Sequence, residues 1–101
     1  MGASPAYNKS MDTRLPEKDI TARLKKLKGW SRRGQEIARQ YKFSDFIAAM
    51  AFVNHVADRA ETLDHHPDIL IQYNKVKLTL STHSAGGLTE KDFELAKKID
   101  A

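Results

Sequence analysis

The stretch Asp64-His65-His66-Pro67-Asp68-Ile69-Leu70-Ile71-Gln72-Tyr73-Asn74-Lys75-Val76-Lys77-Leu78-Thr79-Leu80 decides the fold. Pro67 lacks a backbone N–H and disfavours helix in the residue before it, so a helix arriving from upstream breaks at His65-His66-Pro67. Beyond the break, apolar residues fall on every second position: Ile69, Ile71 and Tyr73, then Val76, Leu78 and Leu80. Successive side chains of a strand point to opposite faces, so this pattern predicts two strands, each with one apolar face. Asn74-Lys75 reads as the two-residue turn between them, because Asn tolerates positive φ. That register sets Tyr73 opposite Val76, Ile71 opposite Leu78 and Ile69 opposite Leu80. Extended outward, it sets His66 opposite His83.

Upstream, Phe46, Ala49, Met50, Val53, Val56, Ala57 and Ala60 recur at helical spacing. They predict a long helix over 45–63 with a broad buried face and Ser44 as its N-cap. Before it, Ile37, Arg39, Tyr41 and Phe43 alternate with Ala38, Gln40 and Lys42 in strand fashion. Trp30 opens an extended segment and Arg33-Gly34 reads as a turn, which makes a first hairpin. Earlier still, Pro16 suits a helix start, Ile20, Leu24 and Leu27 form a stripe, and Gly29 stops a helix over 17–28. At the other end, Ser84-Ala85-Gly86-Gly87 reads as a loop. Thr89 with Asp92 makes a capping box and Leu88 with Phe93 a hydrophobic staple, opening a last helix over 90–99. The predicted order is α-β-β-α-β-β-α, an α+β single domain over residues 16–101, with residues 1–15 as a leader.

The chain has 101 residues, too few for two ordinary domains; 41% are hydrophobic, which supplies one modest core. No apolar run approaches the roughly 18 residues that span a bilayer. With no cysteine, disulfides, thiol catalysis and cysteine-type zinc sites are excluded. The composition fits the reducing cytoplasm. Net charge is +4, unevenly spread: residues 1–43 carry eleven Lys and Arg against four Asp and Glu, and residues 44–101 carry six against nine. The run Arg23, Lys25, Lys26, Lys28, Arg32, Arg33 reads as a solvated helix face and turn rather than a nucleic-acid surface, since few aromatics interleave with it.

Three of the four histidines, His65, His66 and His83, converge at one end of the second hairpin. Glu61 lies one helical turn before His65, and Asp92 opens the next helix near the same end. Histidine titrates near neutral pH, so such a cluster with orienting carboxylates suits proton transfer. A metal centre is the nearest rival. Adjacent His65 and His66 point apart in regular strand geometry, and no H-E-x-x-H helix is present. No G-x-S-x-G elbow supports a serine triad. His55 reads as structural, Tyr73 as packing and Asp64 as a turn residue.

The spacing Glu61-x3-His65-His66-Pro67, then Tyr73, His83 and Asp92, resembles the signature of the pterin-4a-carbinolamine dehydratases. The surrounding words resemble the family too: Tyr73-Asn74-Lys75-Val76, Ser81-Thr82-His83, Gly87-Leu88-Thr89-Glu90-Lys91-Asp92, and upstream Gly29-Trp30 and Ala49-Met50-Ala51-Phe52-Val53. The likeness covers about residues 16–100. It implies a four-stranded antiparallel sheet with helices on one face, pairing into dimers or tetramers. It implies dehydration of a 4a-hydroxytetrahydropterin, such as 4a-hydroxytetrahydrobiopterin, to the quinonoid dihydropterin, without metal or cofactor. Such an activity recycles the pterin of aromatic amino acid hydroxylation, phenylalanine hydroxylation included. By the same resemblance His65 and His83 are the acid–base pair and His66 binds and orients the pterin. Glu61 sets the charge state of a neighbouring imidazole, Asp92 lies at the rim, and backbone near Ser81 and Thr82 meets the flat pterin edge. Animal members also serve as dimerisation partners of a homeodomain transcription factor, and relatives that assemble a carbon-fixing enzyme tend to lack the histidines. A non-catalytic binding module is therefore the alternative reading.

Overall fold

The computed structural model describes residues 13–101. Its elements follow the predicted order: α1 (Glu17–Lys25), β1 (Ser31–Arg33), β2 (Glu36–Lys42), α2 (Phe46–Leu63), β3 (Asp68–Gln72), β4 (Lys75–Leu80) and α3 (Glu90–Asp100), with one 3-10 turn at His83–Ala85. Residues 1–12, most of the expected leader, lie outside the described residues. Leu15, at the end of that segment, donates its backbone N–H to Leu88 O at 2.9 Å. Among the described residues no helix is long and apolar enough to cross a membrane.

The four strands form one antiparallel sheet in the order β1-β2-β4-β3. Val76, Leu78 and Leu80 of β4 and Ile37 of β2 have no exposed surface; nor do Ala49 and Val56 of α2 or Leu95 and Ala96 of α3. Burying one Val, Leu or Ile stabilises by ~1.5–3 kcal/mol, well above an exposed ion pair. This shared layer therefore holds the helices to one face of the sheet. Alternation directs Gln40, Lys42, Lys75 and Lys77 to the other face.

At its far end α3 is pinned by Asp100. That carboxylate accepts hydrogen bonds from Trp30 Nε1 (2.8 Å), Arg39 Nη1 (3.0 Å) and the Tyr41 hydroxyl (2.6 Å). Burial, with the bond to Asp100, pushes the Tyr41 hydroxyl well above the usual phenol range, so it stays a donor. These bonds anchor the C-terminal end of α3.

The β3–β4 register is displaced by two residues from the prediction: Gln72 pairs with Lys75, Ile71 with Val76 and Ile69 with Leu78. The turn is Tyr73-Asn74, and Tyr73 takes a left-handed φ of 54°. The cause lies across the sheet. Asn74 Nδ2 donates to Phe43 O (2.9 Å), and Asn74 O accepts from Phe43 N (2.8 Å). Asn74 bridges to the end of β2, so the turn closes one residue early. An even displacement keeps every side chain on its face, and the predicted apolar face survives. Tyr73, expected to pack, is 65% exposed at the tip.

Smaller corrections have local causes. The turn of the first hairpin is Gly34-Gln35, since Arg33 pairs with Glu36. Helix α1 stops at Lys25 because Lys26 and Leu27 bond back three residues, to Arg23 O and Leu24 O; Gly29, at φ 85°, then turns the chain into Trp30. Asp45, not Ser44, caps α2, its Oδ1 accepting from Ala48 N at 2.8 Å. The buried strip of α2 is narrower than predicted. Ala49, Val56 and Ala60 are buried, Met50 and Val53 half-buried, and Phe46 and Ala57 exposed.

Candidate active site

Helix α2 ends before Pro67 is reached. Asp64 adopts a left-handed φ of 53°, and two bonds close the helix in a Schellman arrangement: His65 N to Ala60 O (3.0 Å) and Asp64 N to Glu61 O (3.2 Å). Short polar residues are the non-glycine types that take this conformation most readily. The backbone of His65 is thus tied to the helix end, which aims its side chain at the start of α3.

There His65 Nε2 lies 2.6 Å from Asp92 Oδ1. The His65 side chain is 11% exposed and that of Asp92 0%. The other oxygen, Oδ2, accepts the Thr82 hydroxyl (2.8 Å) and the Thr89 backbone N–H (2.9 Å). The Thr82 and Thr89 hydroxyls are 2.8 Å apart, and Thr89 Oγ1 accepts the Lys91 N–H at 3.3 Å. The predicted capping box is therefore present, and its carboxylate also anchors a histidine. A buried carboxylate is costly unless hydrogen-bonded; here three groups, His65 Nε2, the Thr82 hydroxyl and the Thr89 N–H, hold it at a helix N-terminus. The resemblance implies a rim position for Asp92. In the structure Asp92 is fully buried: capping ties Oδ2 to its own helix, and Oδ1 faces His65.

His66 makes the outer pair. Its Nε2 lies 2.7 Å from Glu61 Oε2, with side chains 57% and 77% exposed. Glu61 thus engages His66 rather than His65, whose ring is taken by Asp92. The predicted opposition of His66 and His83 does not occur, because β4 ends at Leu80 and the register is displaced. His83 instead opens the 3-10 turn, exposed, between Thr82 and Gly87, which form an isolated bridge. Gly86, at φ 74°, closes that turn. Thr82, bonded to Asp92, brings the base of the His83 turn to the His65–Asp92 pair.

Neither hydroxyl of Ser81-Thr82 is free in this state. Ser81 Oγ donates to Gln35 O at 2.8 Å, and Thr82 is buried against Asp92. His55 stands apart, its Nε2 3.1 Å from Ile99 O. Among the described residues no three His, Asp or Glu side chains are grouped to hold a metal ion. The surface cavities between α1 and α3, one of about 160 Å³ lined by Arg23, Lys26, Leu27, Glu90, Phe93, Glu94 and Lys97, contain no histidine. Sequence reasoning missed the Thr82 hydroxyl that holds Asp92. Its signal was the spacing Thr82, Thr89, Asp92, in which Thr82 was read only through its backbone and Thr89 with Asp92 only as a cap.

The family model for pterin 4 alpha carbinolamine dehydratase matches residues 13–101. A protein from Acidobacterium capsulatum, provisionally named a pterin-4-alpha-carbinolamine dehydratase, is 58% identical over 87 residues, 86% of this chain and 95% of that protein. One from Chloroflexus aurantiacus, of the same provisional name, is 54% identical over 86% of this chain and 94% of its own length. A crystal structure from Brucella melitensis, described as a transcriptional coactivator/pterin dehydratase, superposes with a TM-score of 0.83 at 41% identity, covering 87% of this chain and 96% of that one. A pterin dehydratase-like protein described as a RuBisCO assembly factor shares the fold alone, with a TM-score of 0.57 at 21% identity. On the family match over residues 13–101 and the identity across most of both chains, the protein belongs to the pterin 4 alpha carbinolamine dehydratase family.

Proposed function

We propose that the protein dehydrates a 4a-hydroxytetrahydropterin to the quinonoid dihydropterin by histidine acid–base chemistry. The observation that carries the reading is the buried His65–Asp92 pair beside the exposed His83 turn, in a chain of this family. The reaction needs two proton events. The C4a hydroxyl takes a proton and leaves as water, and the adjacent ring nitrogen loses its proton as the C=N bond forms. Groups titrating near neutrality suit both steps. His65 and His83 are assigned as the acid–base pair. His66, oriented by Glu61, is assigned to binding the pterin, and the backbone at Ser81 and Thr82 to the edge of the ring. No cofactor is required, because the ring nitrogen supplies the electron pair that expels the hydroxyl.

The setting is the cytoplasm, where the activity would return pterin to an aromatic amino acid hydroxylase. Self-association into a dimer or tetramer is part of the reading. Phe46, Ile47, Leu70 and Tyr73 are exposed at 46%, 74%, 52% and 65%, and the outer edges of β1 and β3 are unpaired within the sheet. Sedimentation as an 11.4 kDa monomer at micromolar concentration would count against it. The same surface favours the second reading, a non-catalytic dimerisation module. One assay separates them: carbinolamine dehydration by purified protein, with the spontaneous rate subtracted. The enzyme reading expects acceleration above background, reduced roughly 10²–10⁴-fold in His83→Ala with the fold retained. No acceleration by the folded wild type would overturn it.

A further inference from the structure

We propose that Thr82 is a positioning residue for His65, acting through Asp92: its hydroxyl holds the buried carboxylate as an acceptor, which sets His65 in the Nε2–H tautomer and leaves Nδ1 as the proton-exchanging atom. The proposal rests on the assignment of His65 to acid–base chemistry, and its structural half can be read without substrate.

The direction of every bond follows from the donor inventory. The Thr82 hydroxyl donates to Asp92 Oδ2 at 2.8 Å, so the 2.8 Å contact between the threonine hydroxyls has Thr89 as donor. Thr89 Oγ1 in turn accepts from Lys91 N. Asp92 Oδ2 receives a second proton from Thr89 N at 2.9 Å. Two donors therefore occupy Oδ2. Oδ1 is left as the acceptor 2.6 Å from His65 Nε2, which must then carry its hydrogen. Nδ1 remains on the other side of the ring. The side chain is 11% exposed, so the ring has little freedom to turn over. Removing the Thr82 hydroxyl leaves Oδ2 with one donor and Thr89 with a hydroxyl proton lacking its acceptor. With one of its two fixed donors gone, the carboxylate is free to turn about its Cβ–Cγ bond, and the tie to His65 loosens.

Nitrogen-detected NMR of the histidine rings reports the tautomer directly, on substrate-free protein of wild type, Thr82→Val and Thr82→Ser. The expected result is Nε2–H at His65 in wild type and Thr82→Ser, and a mixed population in Thr82→Val. Turnover should fall about tenfold or more in Thr82→Val, the lower end of the usual loss for an outer partner, with KM nearly unchanged, and recover to within about threefold of wild type in Thr82→Ser. An Nδ1–H tautomer at His65 in wild type overturns the proposal whether or not the valine variant folds. So does a folded Thr82→Val with the wild-type tautomer. If the tautomer behaves as expected but wild type does not accelerate the dehydration, the positioning device stands and the assigned reaction falls.

Discussion

Adjacent residues of one chain make two histidine–carboxylate pairs of nearly equal length, 2.6 Å for His65–Asp92 and 2.7 Å for His66–Glu61. Their surroundings differ completely. Asp92 has no exposed surface and is held by its own helix cap and by Thr82. Glu61 is 77% exposed on the last turn of α2 and pairs with His66. An exposed pair exchanges water for partner at little net gain, whereas a buried carboxylate must keep every donor it has. Distance alone does not separate the two pairs; burial and the number of donors do. On the proposed roles, the inner pair keeps one ring in one orientation, and the outer pair leaves its ring free to move with a ligand.

That contrast predicts very different costs. Asp92→Ala should have the largest effect on folding. It strands the Thr89 N–H and the Thr82 hydroxyl and removes the partner of His65, so a loss of about 3–5 kcal/mol is expected. Urea unfolding monitored by circular dichroism measures it. A loss below about 1 kcal/mol would place Asp92 among ordinary surface groups. Glu61→Gln should cost much less, about 0–1 kcal/mol, and 0.5 M salt should shrink the difference from wild type further. A destabilisation as large as that of Asp92→Ala would erase the distinction between the pairs.

Sequence legibility follows the same divide. The apolar alternation of Ile69, Ile71, Val76, Leu78 and Leu80 identified β3 and β4, and helical spacing identified α2, because burial on one face dictates those periods. The register of the hairpin was not legible. It turns on Asn74 reaching across to Phe43, thirty-one positions away, and no local pattern encodes that contact. Histidine clustering was legible as a set of residues near one end of the hairpin. Which carboxylate serves which ring was not. Helical spacing assigns Glu61 to His65, yet the left-handed Asp64 swings the chain so that His65 meets Asp92 and His66 meets Glu61. The capping box was read correctly from Thr89 and Asp92, but its second use depends on a chain reversal through the His83 turn.

The most direct test of the account is the steady-state kinetics of His65→Ala beside His66→Ala, with spontaneous dehydration subtracted. The inner histidine should lower kcat roughly 10²–10⁴-fold, the scale of one acid–base group, with little change in KM. The outer histidine should raise KM more than it lowers kcat, as lost ground-state binding does. Equal losses of kcat in the two variants, or the reverse order, would contradict the division of labour between the pairs.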